Sequence, residues 1–190
     1  MSMGVLKLYH TGFEVIEKPD IRIGRSNADF GQGFYLSPDR EVSNRWARKR
    51  SGCKTWLNEY ELETDGLEIK RLSRDPEWFG YIFSNRFGRR DLLPQFDVIT
   101  GPIANDTIYD TFGIITSGHL QKDQALRLLM LGGEYVQTVI KTEKAAAALR
   151  FTGAQEITED EIERYRETVR REELKFQKEF AALMEQMIGE

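Results

Sequence analysis

The sequence predicts an α+β domain followed by a long C-terminal helix. In the first part of the chain, short segments that alternate between apolar and polar residues, as strands do, are interleaved with segments whose apolar residues recur at helical spacing. Residues 158–188 contain no glycine or proline and are rich in residues with high helix propensity. We therefore divide the chain into an α+β domain at residues 1–154 and a C-terminal helical extension at residues 155–190.

Composition excludes several classes of protein. With 40% hydrophobic and 11% aromatic residues, the 190-residue chain can bury the core of one domain. The net charge of −4 lacks the basic footprint of a general nucleic-acid binder. No apolar run reaches the roughly 18 residues of a membrane span, and the first residues do not resemble a signal peptide. A single cysteine, Cys53, permits no internal disulfide and no cysteine-based zinc site, so we expect a cytoplasmic protein without a membrane partner.

The first 50 residues predict two strands and a helix. Residues 5–10 alternate and predict a strand that ends at Gly12. The segment FYLS, which begins at Phe34, predicts a second, short strand. A helix is expected to follow across residues 40–50, capped by Ser37, with Pro38 in its first turn and an apolar stripe of Val42, Trp46 and Ala47.

The middle of the chain predicts a hairpin and an aromatic helix. Residues 55–72 alternate around Asp65-Gly66, a type I′ turn signal, and so predict a β-hairpin. Residues 75–88 carry five aromatic residues and predict a buried helix, and the segment FDVIT that follows predicts a buried strand.

The last third of the domain predicts two helical segments around a strand. The pattern indicates a short helix around residues 108–112, a helix at 121–130 that ends at two glycines, a strand at 134–142 and a helical turn at 143–150. Thr158 and Glu161 match a capping box at the start of the long helix.

Three strand ends carry residues suited to binding a flat, polar ligand. His10 ends the first strand just before a glycine, where the backbone is open to close approach. Tyr35 follows a Gly-x-Gly loop and offers a ring for stacking. The third segment, EYVQTV, brings polar side chains to another strand. Taken singly, such a histidine is more often a structural group and such a tyrosine more often part of the core.

Taken together, these segments resemble a known family. LYHTG, DFGQGFYLSPDREVSNRWA, GPIANDTIYD and YVQTVIKTEKAAAAL are similar to the DUF3990 family over residues 4–152. That family resembles the ADP-ribosyltransferase fold of the His-Tyr-Glu type, shared by diphtheria toxin and the poly-ADP-ribose polymerases. FGQGFYLSPD is similar to the polymerases' FGKGIYFAD segment. The resemblance implies two packed, mainly antiparallel sheets with flanking helices.

The resemblance also implies roles for individual residues. His10 would bind the nicotinamide-side ribose of NAD, the backbone at Gly12 would hold the carboxamide, and the ring of Tyr35 would stack on nicotinamide. Arg25 would either pair with Asp29 or contact an NAD phosphate. The other residues expected near the dinucleotide are Tyr9, Thr11, Asp29, Phe30, Gly33 and Phe34. Asp106 matches another family position and is equally a candidate helix N-cap.

The third motif departs from the family pattern. The best register places Gln137 where His-Tyr-Glu enzymes have a glutamate, and Glu134 lies three residues earlier. Residues three apart on a strand face opposite sides, so Glu134 would reach the site only from the loop before the strand. Breaking the nicotinamide–ribose bond develops oxocarbenium charge, which glycosidases stabilise with carboxylates. Gln137 carries no charge, and we expect it to orient NAD for transfer to a single acceptor.

The resemblance thus implies a mono-ADP-ribosyltransferase that uses NAD as substrate and modifies a macromolecular acceptor, and it implies no metal. The resemblance to toxin components of bacterial two-gene systems implies an antitoxin protein as a partner. Three alternatives stay open: a non-catalytic NAD or ADP-ribose binding module, an NAD glycohydrolase, and a protein that binds a partner through its C-terminal helix. His119 is expected to be an ordinary exposed histidine, Cys53 incidental, and the basic cluster at residues 86–90 a solvated loop.

Overall fold

The computed structural model describes residues 4–104, 124, 127–128 and 130–188. Its described part contains seven strands and four helices of defined extent. In chain order these are β1 (Val5–Gly12), β2 (Phe34–Leu36), α1 (Arg40–Asn44), β3 (Thr55–Glu63), β4 (Ile69–Arg71), α2 (Pro76–Arg86), β5 (Val98–Pro102), β6 (Val136–Ile140), α3 (Glu143–Ala147), β7 (Leu149–Ile157) and α4 (Glu159–Ile188). Gln124, Arg127 and Leu128, within the predicted helix 121–130, also have helical backbone.

The strands form two sheets, which confirms the α+β class and the mainly antiparallel pairing. One sheet has the order β1-β3-β7 and the other β2-β6-β5-β4. Every pairing is antiparallel except that of β4 with β5.

The predicted hairpin over residues 55–72 is wrong. A turn does form at Asp65-Gly66, where Gly66 has a φ of 72°. However, β3 is the central strand of its sheet, and both of its edges are already occupied by β1 and β7. The chain therefore crosses to the other sheet, where β4 pairs in parallel with β5.

Helix α1 has a different N-cap and ends earlier than the sequence predicts. Asp39, not Ser37, is its N-cap, and the Asp39 carboxylate accepts a hydrogen bond of 2.8 Å from the Glu41 N–H. Ser37 is instead extended and forms two backbone hydrogen bonds of 2.8 Å with Tyr9. This bridge joins the end of β2 to β1, so it brings together one edge of each sheet.

The helical extension is preceded by a strand that the sequence analysis missed. β7 runs to Ile157, so the boundary expected at 154/155 lies inside this strand. The capping box is confirmed: the Glu161 N–H donates to Thr158 Oγ1 at 3.3 Å, and the Thr158 N–H donates to Glu161 Oε2 at 2.8 Å. No helix in the described part of the chain combines the length and apolar composition needed to cross a bilayer.

Two apolar clusters hold the sheets in place. α2 packs on one face of the second sheet, where Trp78, Tyr81 and Ile82 are each only 1% exposed, as expected for the aromatic helix. Residues from both sheets share a second cluster: Leu8, Phe34, Leu36, Tyr60, Leu62, Val98 and Ile140. Both clusters include residues next to the cleft described below, so the cleft is built on the packed core.

Candidate functional site

A cleft opens where the Tyr9–Ser37 bridge joins the two sheets. Its volume is about 580 Å³, within the range of about 300–1,000 Å³ that small-molecule sites occupy. Side chains from β1, from the loop before β2, from β2, from α2 and from β6 contribute to its walls. Among its lining residues are Tyr9, His10, Thr11, Arg25, Asn27, Asp29, Tyr35, Trp46, Arg48, Arg86 and Gln137.

His10 presents one ring nitrogen to the cleft as a hydrogen-bond acceptor. Its Nδ1 lies 2.8 Å from the carbonyl oxygen of Tyr35, which can only accept, so Nδ1 carries the proton. Burial lowers the pKa of His10 below its usual 6.5, although the bond to Tyr35 opposes this shift. The ring is therefore neutral at pH 7, and its Nε2 has a lone pair. No hydrogen bond to Nε2 comes from the described residues.

Tyr35 fastens the loop that precedes its own strand. Its hydroxyl accepts a hydrogen bond of 3.0 Å from the Phe30 N–H and donates one of 2.6 Å to the Gly31 carbonyl oxygen. Burial raises the pKa of Tyr35 far above its usual 10, so the phenol stays protonated and keeps donating. The half-buried ring then lines the cleft in a fixed orientation.

Two glycines permit this loop conformation. Gly31 has a φ of 73°, a left-handed conformation that side chains with a Cβ rarely adopt. Gly33 packs so tightly on β6 that an added Cβ would lie 2.6 Å from the Ile140 carbonyl oxygen. The Gly-x-Gly spacing therefore serves the close approach of this loop to β6.

Asp29 lies at the base of the cleft and is 8% exposed. One carboxylate oxygen, Oδ1, accepts a hydrogen bond of 2.7 Å from Arg86 Nε. The other, Oδ2, accepts from the Ala104 N–H at 3.0 Å and from Gln137 Nε2 at 3.3 Å. Asp29 thus pairs with Arg86. The expected ion pair between Asp29 and Arg25 does not form.

Gln137 is 8% exposed and lines the cleft from β6. Its amide nitrogen faces the Asp29 carboxylate, as the charge of that group requires. No residue in the described ranges hydrogen-bonds to the amide oxygen, Oε1. The amide therefore offers an acceptor to a ligand in the cleft.

Two cations and an indole form the rim. Arg25 and Arg48 are exposed, line the cleft and form no ion pair with any residue that the structure describes. Trp46 was predicted to belong to an apolar stripe of α1 but is 52% exposed. The helix ends at Asn44, so Trp46 lies after the helix. Sequence reasoning missed Arg48, Trp46 and Asn27 as cleft residues, and no local pattern distinguishes them from ordinary surface positions.

Comparison with known proteins gives one match. The profile of DUF3990, described as a protein of unknown function, matches residues 6–151. The chain belongs to the DUF3990 family. The matched range begins in β1 and ends in β7, so it includes His10, Tyr35 and Gln137 and leaves α4 outside. No curated protein and no solved structure matches the chain.

Several residues expected at the site of this DUF3990 protein do not line the cleft. Glu134 precedes β6, is exposed and adds a favourable charge interaction to Arg74, away from His10. Phe30 and Phe34 are buried in the two apolar clusters. Gly12 lies next to His10: an added Cβ at this position would lie 3.2 Å from His10 Nε2.

The C-terminal helix of the DUF3990 protein packs on the domain near the third motif. Glu172 of α4 forms an ion pair with Arg45, and the Tyr135 hydroxyl donates a hydrogen bond of 2.8 Å to the same carboxylate. The Arg45 guanidinium also stacks over the Tyr135 ring at 4.1 Å. α4 thus supports the segment that leads into β6 and Gln137.

A larger depression of about 870 Å³ lies between α4 and residues 45–49. Some of its charged side chains are paired: Lys49 lies 4.0 Å and Arg166 lies 3.5 Å from Glu163. We assign no chemistry to it. Within the described residues, no group of His, Cys, Asp or Glu side chains is arranged to hold a metal ion.

The remaining sequence candidates fall outside the site. Cys53 is exposed and away from the cleft. Arg86 was expected in a solvated basic loop, but it is the last residue of α2 and its side chain is 6% exposed. Asp106 and His119, with the short helix expected at 108–112, lie outside the described residues.

Proposed function

We propose that this protein is a mono-ADP-ribosyltransferase, which transfers ADP-ribose from NAD to a macromolecular acceptor and releases nicotinamide. One observation carries the proposal: His10, Tyr35 and Gln137, far apart in sequence, line a single cleft. These are the three positions to which the resemblance assigns NAD binding. The meeting of two mainly antiparallel sheets at this cleft supports an ADP-ribosyltransferase-like fold.

Each group has the chemistry that its role needs. His10 Nε2 and Gln137 Oε1 are both acceptors, suited to the two hydroxyls of the nicotinamide-side ribose. The Tyr35 ring, held by its hydroxyl, supplies a flat apolar surface for nicotinamide. Arg25 and Arg48 at the rim supply cations for the diphosphate.

The transfer itself is a displacement at the ribose. The bond between C1′ and the nicotinamide nitrogen breaks, and nicotinamide leaves with the electron pair. An acceptor nucleophile then forms the new bond to C1′ and loses its proton to solvent. Because oxocarbenium charge develops on the sugar, hydrogen bonds that fix the ribose hydroxyls favour the reaction.

A second function, a non-catalytic NAD or ADP-ribose binding module, is favoured by a specific observation. Position 137 carries an amide, and the carboxylate beside it, Asp29, is already paired with Arg86. Among the residues that the structure describes, no unpaired carboxylate therefore lines the cleft next to Gln137. Such a site would bind the dinucleotide without accelerating cleavage of its glycosidic bond.

Nicotinamide release separates these functions. The purified protein is incubated with NAD, alone and with cell lysate, and nicotinamide is measured by chromatography. A transferase releases nicotinamide and labels a lysate component from NAD that is radiolabelled in its adenylate half. A glycohydrolase, which uses water as acceptor, releases nicotinamide but labels nothing. Binding of NAD without nicotinamide release would establish the binding module and contradict the transferase.

The cellular role that we propose is that of a bacterial toxin-type effector neutralised by an antitoxin protein. The support is the family resemblance. Inducible expression tests it: wild-type protein should arrest growth, and His10→Ala should not. Arrest by both proteins at equal abundance would contradict a role that depends on NAD chemistry.

A further inference from the structure

We propose that Asp29 is a positioning residue, which holds the Gln137 amide with its oxygen directed into the cleft. The pairing also accounts for an amide at position 137. A carboxylate there would face the Asp29 carboxylate, whereas an amide nitrogen donates to it. The contact between Asp29 and Gln137 does not depend on the proposed function. Only its consequence, the binding of the NAD ribose, rests on that function.

The contacts of Asp29 make it a fixed reference point. Its two oxygens accept from Arg86, Ala104 and Gln137, and its side chain is 10% exposed. Ala104 contributes a backbone N–H, and Arg86 is anchored on α2, where its Nη2 also donates to the Ala104 carbonyl oxygen at 3.2 Å. Because a carboxylate oxygen can only accept, the side chain at position 137 that faces Asp29 Oδ2 has to supply a hydrogen-bond donor.

The orientation of Gln137 follows from this contact. A side-chain amide can rotate by 180° and exchange its oxygen and nitrogen, and each orientation suits a different ligand. The Asp29 carboxylate repels the oxygen and attracts the nitrogen, so it selects one of the two. Gln137 then presents an acceptor to the cleft, which suits a donor such as a ribose hydroxyl.

Exchanging the two groups tests this pairing. Gln137→Glu places two carboxylates side by side, and Asp29→Asn removes the charge that orients the amide. In the double variant, the new amide at position 29 can donate to the new carboxylate at position 137, although its nitrogen then also faces the Ala104 N–H, from which Asp29 Oδ2 accepts a hydrogen bond in the wild type. The negative charge near Arg86 is also restored. Asp97→Asn is the matched control, because Asp97 is equally buried but does not line the cleft.

The first readout is the affinity for NAD, measured by calorimetry, alongside urea unfolding of every variant. A hydrogen bond to a charged group is worth about 1.5–3 kcal/mol, so each single variant should weaken binding roughly ten- to a hundredfold. The double variant should recover part of the affinity that the single variants lose, but not all of it, because the Ala104 N–H loses its acceptor. Asp97→Asn should bind like wild type. Losses that simply add in the double variant would overturn the pairing.

The second readout needs no NAD and separates the two proposals. In a ¹⁵N–¹H NMR spectrum, the Gln137 amide pair is assigned as the one that Gln137→Ala removes. It should move strongly in Asp29→Asn and remain in place in Asp97→Asn. If wild type does not bind NAD but this pattern holds, the proposed function fails and the positioning stands. An amide signal that Asp29→Asn leaves unchanged overturns the positioning, whatever NAD does.

Discussion

Two buried aspartates in this protein look alike locally but differ in what they hold. Asp29 and Asp97 are each 8% exposed, and each accepts several hydrogen bonds. Asp97 accepts from the Glu68 N–H at 3.0 Å, from Thr142 Oγ1 at 2.7 Å and from Lys144 Nζ at 3.0 Å. These contacts fasten the start of β5 to the segment before β4 and to α3.

The difference lies in the last partner of each carboxylate. Every partner of Asp97 is part of the scaffold, whereas one partner of Asp29, Gln137, has an oxygen that no described residue hydrogen-bonds and that is available to a ligand in the cleft. Asp29 therefore couples the stability of the fold to the chemistry of the cleft, and Asp97 contributes to stability alone. Burial and hydrogen bonding by themselves do not distinguish a site residue from a structural one. What distinguishes them is whether a hydrogen-bond partner of the carboxylate has a further polar atom that is available to a ligand.

The largest difference between the two should appear on truncation. Asp29→Ala removes one partner of a buried ion pair together with the acceptor of three hydrogen bonds, so we expect a loss of about 3–5 kcal/mol in the free energy of unfolding. Asp97→Ala should cost about 1–3 kcal/mol, because its cationic partner Lys144 is 58% exposed and keeps its hydration. Urea unfolding at pH 7 measures both. Equal losses would contradict the distinction between the two carboxylates.

Truncating the partner in the cleft should affect activity more than stability. Gln137→Ala removes a group that orients the ribose, and we expect nicotinamide release to fall roughly 100- to 1,000-fold. Gln177→Ala, at an exposed position of α4, is the control and should leave the rate unchanged. Turnover by Gln137→Ala at the wild-type rate would remove Gln137 from the mechanism.

Two glycines extend the comparison to the backbone. Gly31, in the loop that carries Asp29, and Gly66, in the turn after β3, have φ values of 73° and 72°. Substitution by alanine should cost about 1–2 kcal/mol of stability at each position. An added Cβ at Gly31 would also lie 3.0 Å from Lys141 Nζ, whereas Gly66 has open space around it. Only Gly31→Ala should weaken NAD binding, and an equal effect of Gly66→Ala would contradict a local role for the loop.

Protonation of His10 should have a smaller effect on the free energy of unfolding. Burial lowers its folded pKa below 6.5, so below pH 6.5 the unfolded chain binds the proton more readily than the folded protein. Stability should therefore fall as pH decreases from 6.5 toward the folded pKa. NMR of His119→Gln, which leaves His10 as the sole histidine, should show a midpoint below 6.5 with the proton on Nδ1. A midpoint above 6.5 would contradict the neutral ring.

Asp97 should contribute to the pH dependence of stability at lower pH. Burial opposes ionisation, but hydrogen bonds from Glu68, Thr142 and Lys144 outweigh it and lower the pKa of Asp97 below 3.8. The stability that this carboxylate contributes is present above pH 3.8 and is lost as pH falls through the folded pKa. Acid unfolding of Asp97→Asn should show a shallower dependence in this window than wild type, and identical curves would contradict the assignment.

The sequence predicted those parts of the molecule that depend on local pattern. Alternation located β1, aromatic density located α2, and the Thr158–Glu161 spacing located the start of α4. The resemblance placed His10, Tyr35 and Gln137 in one site, and the structure brings these three side chains to one cleft. Each of these inferences used residues close together in sequence or a motif of fixed spacing.

The errors arose where distant segments compete for the same partner. Residues 55–72 have a hairpin pattern, but β1 and β7 occupy both edges of β3, and no local signal reveals this. Arg86 was grouped with the basic residues after it, although Ile82, four residues earlier on the same face of α2, is buried. That spacing is the one signal that could have placed Arg86 in the interior, beside Asp29.

A crystal structure with a non-hydrolysable NAD analogue tests the central claim most directly. The account predicts the nicotinamide ring against Tyr35 and the adjacent ribose hydroxyls within hydrogen-bond distance of His10 Nε2 and Gln137 Oε1. Gln137 should retain its contact to Asp29 in the complex. An analogue bound elsewhere on the protein, or a ribose that touches neither His10 nor Gln137, would contradict the account.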